Sequence, residues 1–156
     1  MPPPAPVRLG AALAPVLLLA GCSLFGGEAS YPTTVEVAVQ ASDRLNPDES
    51  GQSLPTMIRL YLLKSPGKLE AADFDDLYRR AKELLGEDLV AVEEFVLSPG
   101  DRVTRRLAPE KAARALAVVG IFRRPVGGNW RAVVDLPKET SARLSFHVDG
   151  YRVEGR

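Results

Sequence analysis

Apolar residues in this chain recur at every second position in short runs, and that period restricts the fold more than any other feature. Between Thr33 and Ala41, Val35, Val37 and Val39 point one way, while Glu36 and Gln40 point the other. This is the pattern of a strand buried on one face. Thr56 to Lys64 repeats it with Ile58, Leu60 and Leu62, and Met57, Tyr61 and Leu63 make its second face partly apolar. Leu89 to Leu97 reads as a third strand. Arg102 to Leu107 is a fourth, short and basic, suited to a sheet edge where charge discourages further pairing. Ala115 to Phe122 is nearly all apolar, as a strand covered on both faces must be. Trp130 to Leu136 and Arg143 to Val148 follow. Asp149-Gly150 is a hairpin signal before a short return strand, Tyr151 to Glu154.

The period changes once. Phe74, Leu77, Tyr78, Ala81, Leu84 and Leu85 recur at three- and four-residue steps, predicting one helix that stops at Gly86. Ser65-Pro66-Gly67 breaks the strand before it. Asp73, Asp75 and Asp76 gather at the helix start, where negative charge suits the macrodipole. About eight strands and one helix predict a mostly β fold. Two stacked, mostly antiparallel sheets bury that pattern most economically.

The amino terminus has a different grammar. Arg8 precedes an apolar run, Leu9 to Ala20, of about 12 residues, too short for a bilayer span of about 20. The run ends Leu19-Ala20-Gly21-Cys22, which resembles the lipobox of bacterial lipoproteins. Small residues at Ala20 and Gly21 admit a peptidase, and the Cys22 thiol is the group that takes a diacylglyceryl thioether. The expected organisation is a signal peptide over 1–21 cleaved between Gly21 and Cys22, a lipidated, palmitate-type anchor and tether over 22–32, and a β-sandwich domain over 33–156. Each buried methylene contributes about 0.8 kcal/mol, so anchoring becomes stable with two or more acyl chains. Ser23, in place of an aspartate, implies sorting to the outer membrane. Extended, the residues from Ser23 to Pro32 reach about 33 Å. Cys22 is the single cysteine, which excludes an intramolecular disulfide.

Signals for reaction chemistry are sparse. The formal net charge is zero, which argues against a general nucleic-acid binder. The lone His147 falls on the polar side of its strand, and no serine or cysteine stands in a nucleophile elbow. Asn46-x-Asp48-x-Ser50-Gly51 mimics half an EF-hand loop, yet the twelfth position is Met57 and Pro47 is awkward inside such a loop. No metal site, catalytic residue or cofactor other than the covalent lipid is expected. An alternative reading is a periplasmic lipoprotein that carries an apolar small ligand between its sheets, which requires an internal cavity.

Four stretches together resemble the TssJ family, the outer-membrane lipoproteins of the type VI secretion system. They are Leu45-Asn46-Pro47-Asp48 to Gly51 with Leu54-Pro55 and Ile58 to Lys64; Ala72 to Tyr78; Leu85 to Leu89 with Glu93 to Gly100; and Ala117 to Arg123 with Trp130-Arg131. The resemblance implies a transthyretin-like β-sandwich with an added helix, and a structural role in place of an enzymatic one. It also implies docking to the periplasmic carboxy-terminal domain of the inner-membrane protein TssM, with the loop between the first two strands contributing. That loop is Ser42 to Pro55, about fourteen residues where two to five are usual. Strand parity points to the same surface. If strands run up and down, the connections at 42–55, 98–100 and 123–129 share one end, and the tether enters at the other. The expected contact residues are Leu45, Asn46, Pro47, Asp48, Leu54 and Pro55. The opposing reading is a loop packed on its own sandwich.

The anchor makes one prediction. Cys22→Ser should move the chain from the membrane to the soluble fraction while circular dichroism stays unchanged. A variant that still fractionates with outer membrane contradicts the lipobox reading.

Overall fold

A computed structural model describes residues 1–5 and 31–155. Residues 6–21 of the expected signal peptide, the expected Gly21–Cys22 cleavage site and most of the tether therefore lie outside the described residues. The final tether positions are within them. Tyr31 lies under the Arg114 guanidinium, 3.9 Å from its ring centroid, and Pro32 is buried.

Eight strands form two four-stranded sheets. The first has the order β4-β1-β7-β8, with β1 at Thr34–Ala41, β4 at Arg102–Leu107, β7 at Ser141–Asp149 and β8 at Arg152–Gly155. The second has the order β3-β2-β5-β6, with β2 at Thr56–Leu63, β3 at Leu89–Leu97, β5 at Ala115–Ile121 and β6 at Arg131–Asp135. All pairings are antiparallel except β1 with β7, which runs parallel with Val37 opposite Leu144. The architecture is the transthyretin-like β-sandwich expected from the sequence.

The alternation reads directly onto burial. Val35, Val37 and Val39 face the second sheet at 0% exposure, and Ile58, Leu60, Leu116 and Val118 meet them at 1% or less. β5 is buried along nearly its whole length because it is central and its outer face lies under a helix. The basic strand β4 is at an edge, as its charges predict. Phe122 lays its ring over Gly120; a Cβ there would come within 2.3 Å of it.

The helical layer covers the outer face of the second sheet. It is longer than the single predicted helix. A five-residue helix, α1 at Gly67–Ala71, precedes α2 at Phe74–Leu85, and a 3-10 turn follows at Gly86–Asp88. Pro66 caps α1 and does not merely end β2, because a proline is tolerated where a helix has no backbone partner for its N–H. Leu69, Leu77 and Leu85 are buried against the sheet, with Tyr61 and Leu63 of β2 also covered. Burial pushes the Tyr61 hydroxyl up from its ordinary pKa. Gly86 closes α2 at φ +52°, and Lys68 reaches both the Leu85 carbonyl, at 3.3 Å, and the Asp88 carboxylate, at 2.8 Å. At the other end of α2, Phe74 meets Trp130 edge-on at 5.3 Å. Arg131 donates to the carbonyls of Ala72 and Glu70, lashing the α1–α2 corner to β6.

An open cleft of about 250 Å³ lies between the sheets at the β3/β4 side, lined by Leu60, Leu62, Ala91 and Leu107. Because Leu116 is fully buried in the filled part, Leu116→Ala should cost about 2–5 kcal/mol, read as a lower midpoint in urea unfolding. A loss under about 1 kcal/mol would mean that the sheets do not meet at this layer.

Candidate docking surface

Four connections meet at one end of the sandwich. Ala41 donates its N–H to Asp101 O at 2.8 Å, and Gly100 donates to Ser42 O at 3.1 Å, which joins the β1–β2 and β3–β4 connections. Gly100 has φ +78°, a left-handed conformation that favours glycine, and its Cα lies close to the exposed Asp43 carboxylate. Asn46 donates its N–H to Gly150 O at 2.9 Å, which brings in the β7–β8 turn. Its side-chain Oδ1 accepts from the Arg123 N–H at 2.9 Å, which brings in the β5–β6 connection. The chain enters at the opposite end, where Thr33 donates to Thr140 O at 3.1 Å. Strand parity therefore predicts the shared end correctly, and β7, parallel to β1, adds a fourth connection to it.

Asn46 is the centre of this end. It is 3% exposed and holds φ +45°, a left-handed conformation that asparagine tolerates better than most residues. Its Nδ2 donates to Pro55 O at 3.3 Å, spanning the base of its own loop. Leu45 beside it is fully buried, and its carbonyl accepts from the Leu54 N–H at 3.0 Å. The expectation that Leu45 and Asn46 are exposed contact residues is thus corrected. Leu45 joins the hydrophobic core, and Asn46 spends both ends of its amide inside the protein. The base of the loop packs on its own sandwich, as the opposing reading held.

The rest of the loop projects. Pro47, Asp48 and Leu54 are half-buried and Pro55 is exposed, as are Glu49, Ser50, Gly51 and Gln52 at the tip. Tyr151 donates its hydroxyl to Pro47 O, and its ring meets Phe122 edge-on at 6.2 Å. Asp48 shapes the tip. Its Oδ1 accepts from Ser50 N–H at 2.8 Å, Ser50 Oγ at 2.7 Å and Gln52 N–H at 2.9 Å. Those three donors all converge on one oxygen of the acidic half-motif. The Ser50 hydroxyl and the Gln52 amide hold the Asp48 carboxyl below the ordinary carboxylate range. Asp149 does similar work at the loop's root. It accepts from Ser42 Oγ at 2.6 Å and pairs with Arg44 at 2.6 Å, and Ser42 is the main cause of its lowered pKa.

His147 sits apart, on the exposed face of β7. It lines a small open depression with Asp149, Arg152 and Glu154, which contains no serine or cysteine.

A depressed folded-state pKa means that folding favours the charged carboxylate. The contribution is complete above the ordinary value and is lost as pH falls through the depressed one. The Ser50 and Gln52 amide chemical shifts should therefore stay constant from about pH 8 to about pH 5 and move only below about pH 4. A transition near neutral pH would contradict the carboxylate's role in holding the tip.

Comparison with known proteins places this arrangement. Residues 33–151 match the family model described as type VI secretion lipoprotein, VasD, EvfM, TssJ. No curated protein sequence matches. The crystal structure of the type VI lipoprotein TssJ1 from Pseudomonas aeruginosa superposes with a TM-score of 0.72 at 32% identity, covering 80% of this chain and 97% of that one. A chain of a structure described as a type VI membrane complex gives 0.73 at 25% identity, covering 80% and 98%. A chain of a structure described as the TssM C-terminal domain from EAEC gives 0.65 at 22% identity, covering 79% and 97%, and shows the same fold. The matched residues span β1 to β7, the helical layer and the four connections, and the chain belongs to the TssJ family of type VI secretion lipoproteins.

Proposed function

We propose that this chain is a lipid-anchored docking subunit on the periplasmic face of the outer membrane, joined to it through Cys22. Its partner is the periplasmic carboxy-terminal domain of TssM. The observation that carries the reading is the opposition of the two ends. Tyr31, where the chain arrives from Cys22, sits with Arg114 and Thr33 at one end, and the Ser42–Pro55 loop projects from the other. An eight-residue strand separates them by about 25 Å. Lipid at one end leaves the other free to face the periplasm.

Family membership supports the same assembly, since relatives of this fold are drawn from type VI membrane structures. Docking needs a surface held in shape, and the buried Asn46 clamp supplies it. The contact surface in this reading is Pro47, Asp48, Leu54 and Pro55 with the tip between them, while Leu45 and Asn46 hold that surface from beneath. A partner then meets a preformed shape and loses less conformational entropy on binding. The carrier reading finds no support in a sandwich filled by Val37, Leu60 and Val118.

Replacing the exposed tip residues Glu49 and Gln52 with lysine, which keeps the Gln52 N–H bond to Asp48, should weaken binding to the TssM periplasmic domain at least about ten-fold by calorimetry, or about 1.4 kcal/mol, with the unfolding midpoint unchanged. Asn46→Ala should weaken both binding and stability, because it leaves the Arg123 N–H without its acceptor. Tip variants that bind like the wild type would exclude the loop as the contact.

A further inference from the structure

The sandwich has four edge strands, and three are protected. β4 carries exposed Arg102, Thr104 and Arg106. β6 is five residues long and is flanked by β8 of the other sheet, where Val153 donates to Asn129 O at 2.8 Å. β8 has four residues, with the Arg152–Glu154 ion pair on its exposed side. Charge, shortness and cover are the usual protections of a sheet edge.

β3 has little of this protection. It is nine residues long, reads Leu-Val-Ala-Val-Glu-Glu-Phe-Val-Leu, and pairs only with β2. Among the described residues, no backbone hydrogen bond joins it to any other strand. Ala91, Val92 and Val96 are exposed along it, and Val96 reaches 61%. A hollow lies on each side of the free edge. On the inner side is the 250 Å³ cleft floored by Leu60, Leu62 and Leu107. On the outer side is a trough of about 410 Å³ between β3 and α2, lined by Tyr61, Tyr78, Arg79, Lys82 and Val92. A strand added to β3 would send alternate side chains into the two hollows, because successive residues point to opposite faces. Backbone pairing supplies affinity in that mode and the alternating pockets supply selectivity.

Charge selects the occupant. Arg80 is held by Asp76 at 2.6 Å, and Arg59 Nε lies 2.7 Å from Glu94, an ion pair bent off hydrogen-bond geometry. Arg79 and Lys82 on the rim of the trough make no ion pair among the described residues. On the inner side Arg106 is 76% exposed and has only Glu36, at 3.7 Å. The trough therefore keeps a positive excess, Arg59, Arg79, Arg80 and Lys82 against Glu83 and Glu94, while in the cleft Arg106 is balanced by Glu93. A second copy of this chain fits poorly. Antiparallel self-pairing over the full strand centres on Glu93, setting that carboxylate against its own copy, and like charges directly opposite are destabilising.

We infer that β3 is a docking edge for an extended, acidic segment of another protein, which adds as a fifth strand with apolar side chains alternating between the cleft and the trough. This surface lies along the side of the sandwich, separate from the Ser42–Pro55 loop, and the two can be engaged together.

The test uses the isotopically labelled chain carrying Cys22→Ser and a nine-residue peptide with a central run of valines between terminal glutamates, so that successive valines enter the cleft and the trough. The peptide should shift and protect the backbone amides of Leu89–Leu97. Replacing its glutamates with lysine, or N-methylating alternate backbone nitrogens, should weaken binding at least about ten-fold, or about 1.4 kcal/mol. Val92→Glu with Val96→Glu, both at exposed positions, should abolish it and leave TssM binding unchanged. Four outcomes would overturn the proposal: no binding, equal binding of the lysine peptide, equal binding of the N-methylated peptide, or shifts confined to the loop. Dimerisation of the free chain through β3 would overturn the choice of occupant.

Discussion

A buried asparagine amide holds the working end of this protein together. A polar side chain removed from water is costly unless its hydrogen bonds are replaced. Asn46 replaces them with the Pro55 carbonyl and the Arg123 amide, while its own N–H is taken by Gly150. Three connections far apart in sequence are thereby fixed to one residue. The cost falls on the backbone, which adopts φ +45°, and asparagine bears that cost better than a β-branched or bulky residue would. A connection of about fourteen residues normally carries large conformational entropy. Here its base is seated by Leu45, its tip is folded around Asp48, and Tyr151 holds Pro47 from the adjoining turn. The loop is ordered because its buried polar groups are satisfied and Leu45 seats its base in the core.

Much of this was legible in the residues. The period-two runs locate all eight strands to within one or two positions, because one-sided burial forces the pattern on any half-covered strand. The continuous apolar run in β5 marks a strand central to its sheet and covered twice. Counting strand reversals places three loops at one end. What the pattern could not carry was which loop residues face inward. Leu45 is an isolated apolar residue in a polar segment, and burial beneath the loop or exposure as an anchor leaves the same trace. The parallel register of β1 with β7 was equally silent, since periodicity names a buried face and not a neighbour. Pro66-Gly67 reads as a break and is also a helix start, an ambiguity that only the burial of Leu69 resolves.

The energetic character of the domain differs from side to side. At the β6/β8 side the two sheets are drawn together by Val153, by Gly155 packed against Val134, and by Trp130 buried at the corner. At the β3/β4 side the closure is Glu93 with Arg105 at 3.1 Å, and Arg105 lies 4.8 Å over the Phe95 ring. Both partners are about two-fifths exposed, so the ion pair contributes about 1 kcal/mol or less. The sandwich is thus sealed by packing on one side and latched by a solvated pair on the other. Local opening follows the weaker closure, so the edge with vacant hollows is also the edge that yields most easily. A strand arriving there exchanges a weak latch for backbone pairing and apolar burial. The loop end, held by Asn46, Asp48 and Tyr151, lies outside that exchange, so in the proposed reading the two surfaces act independently.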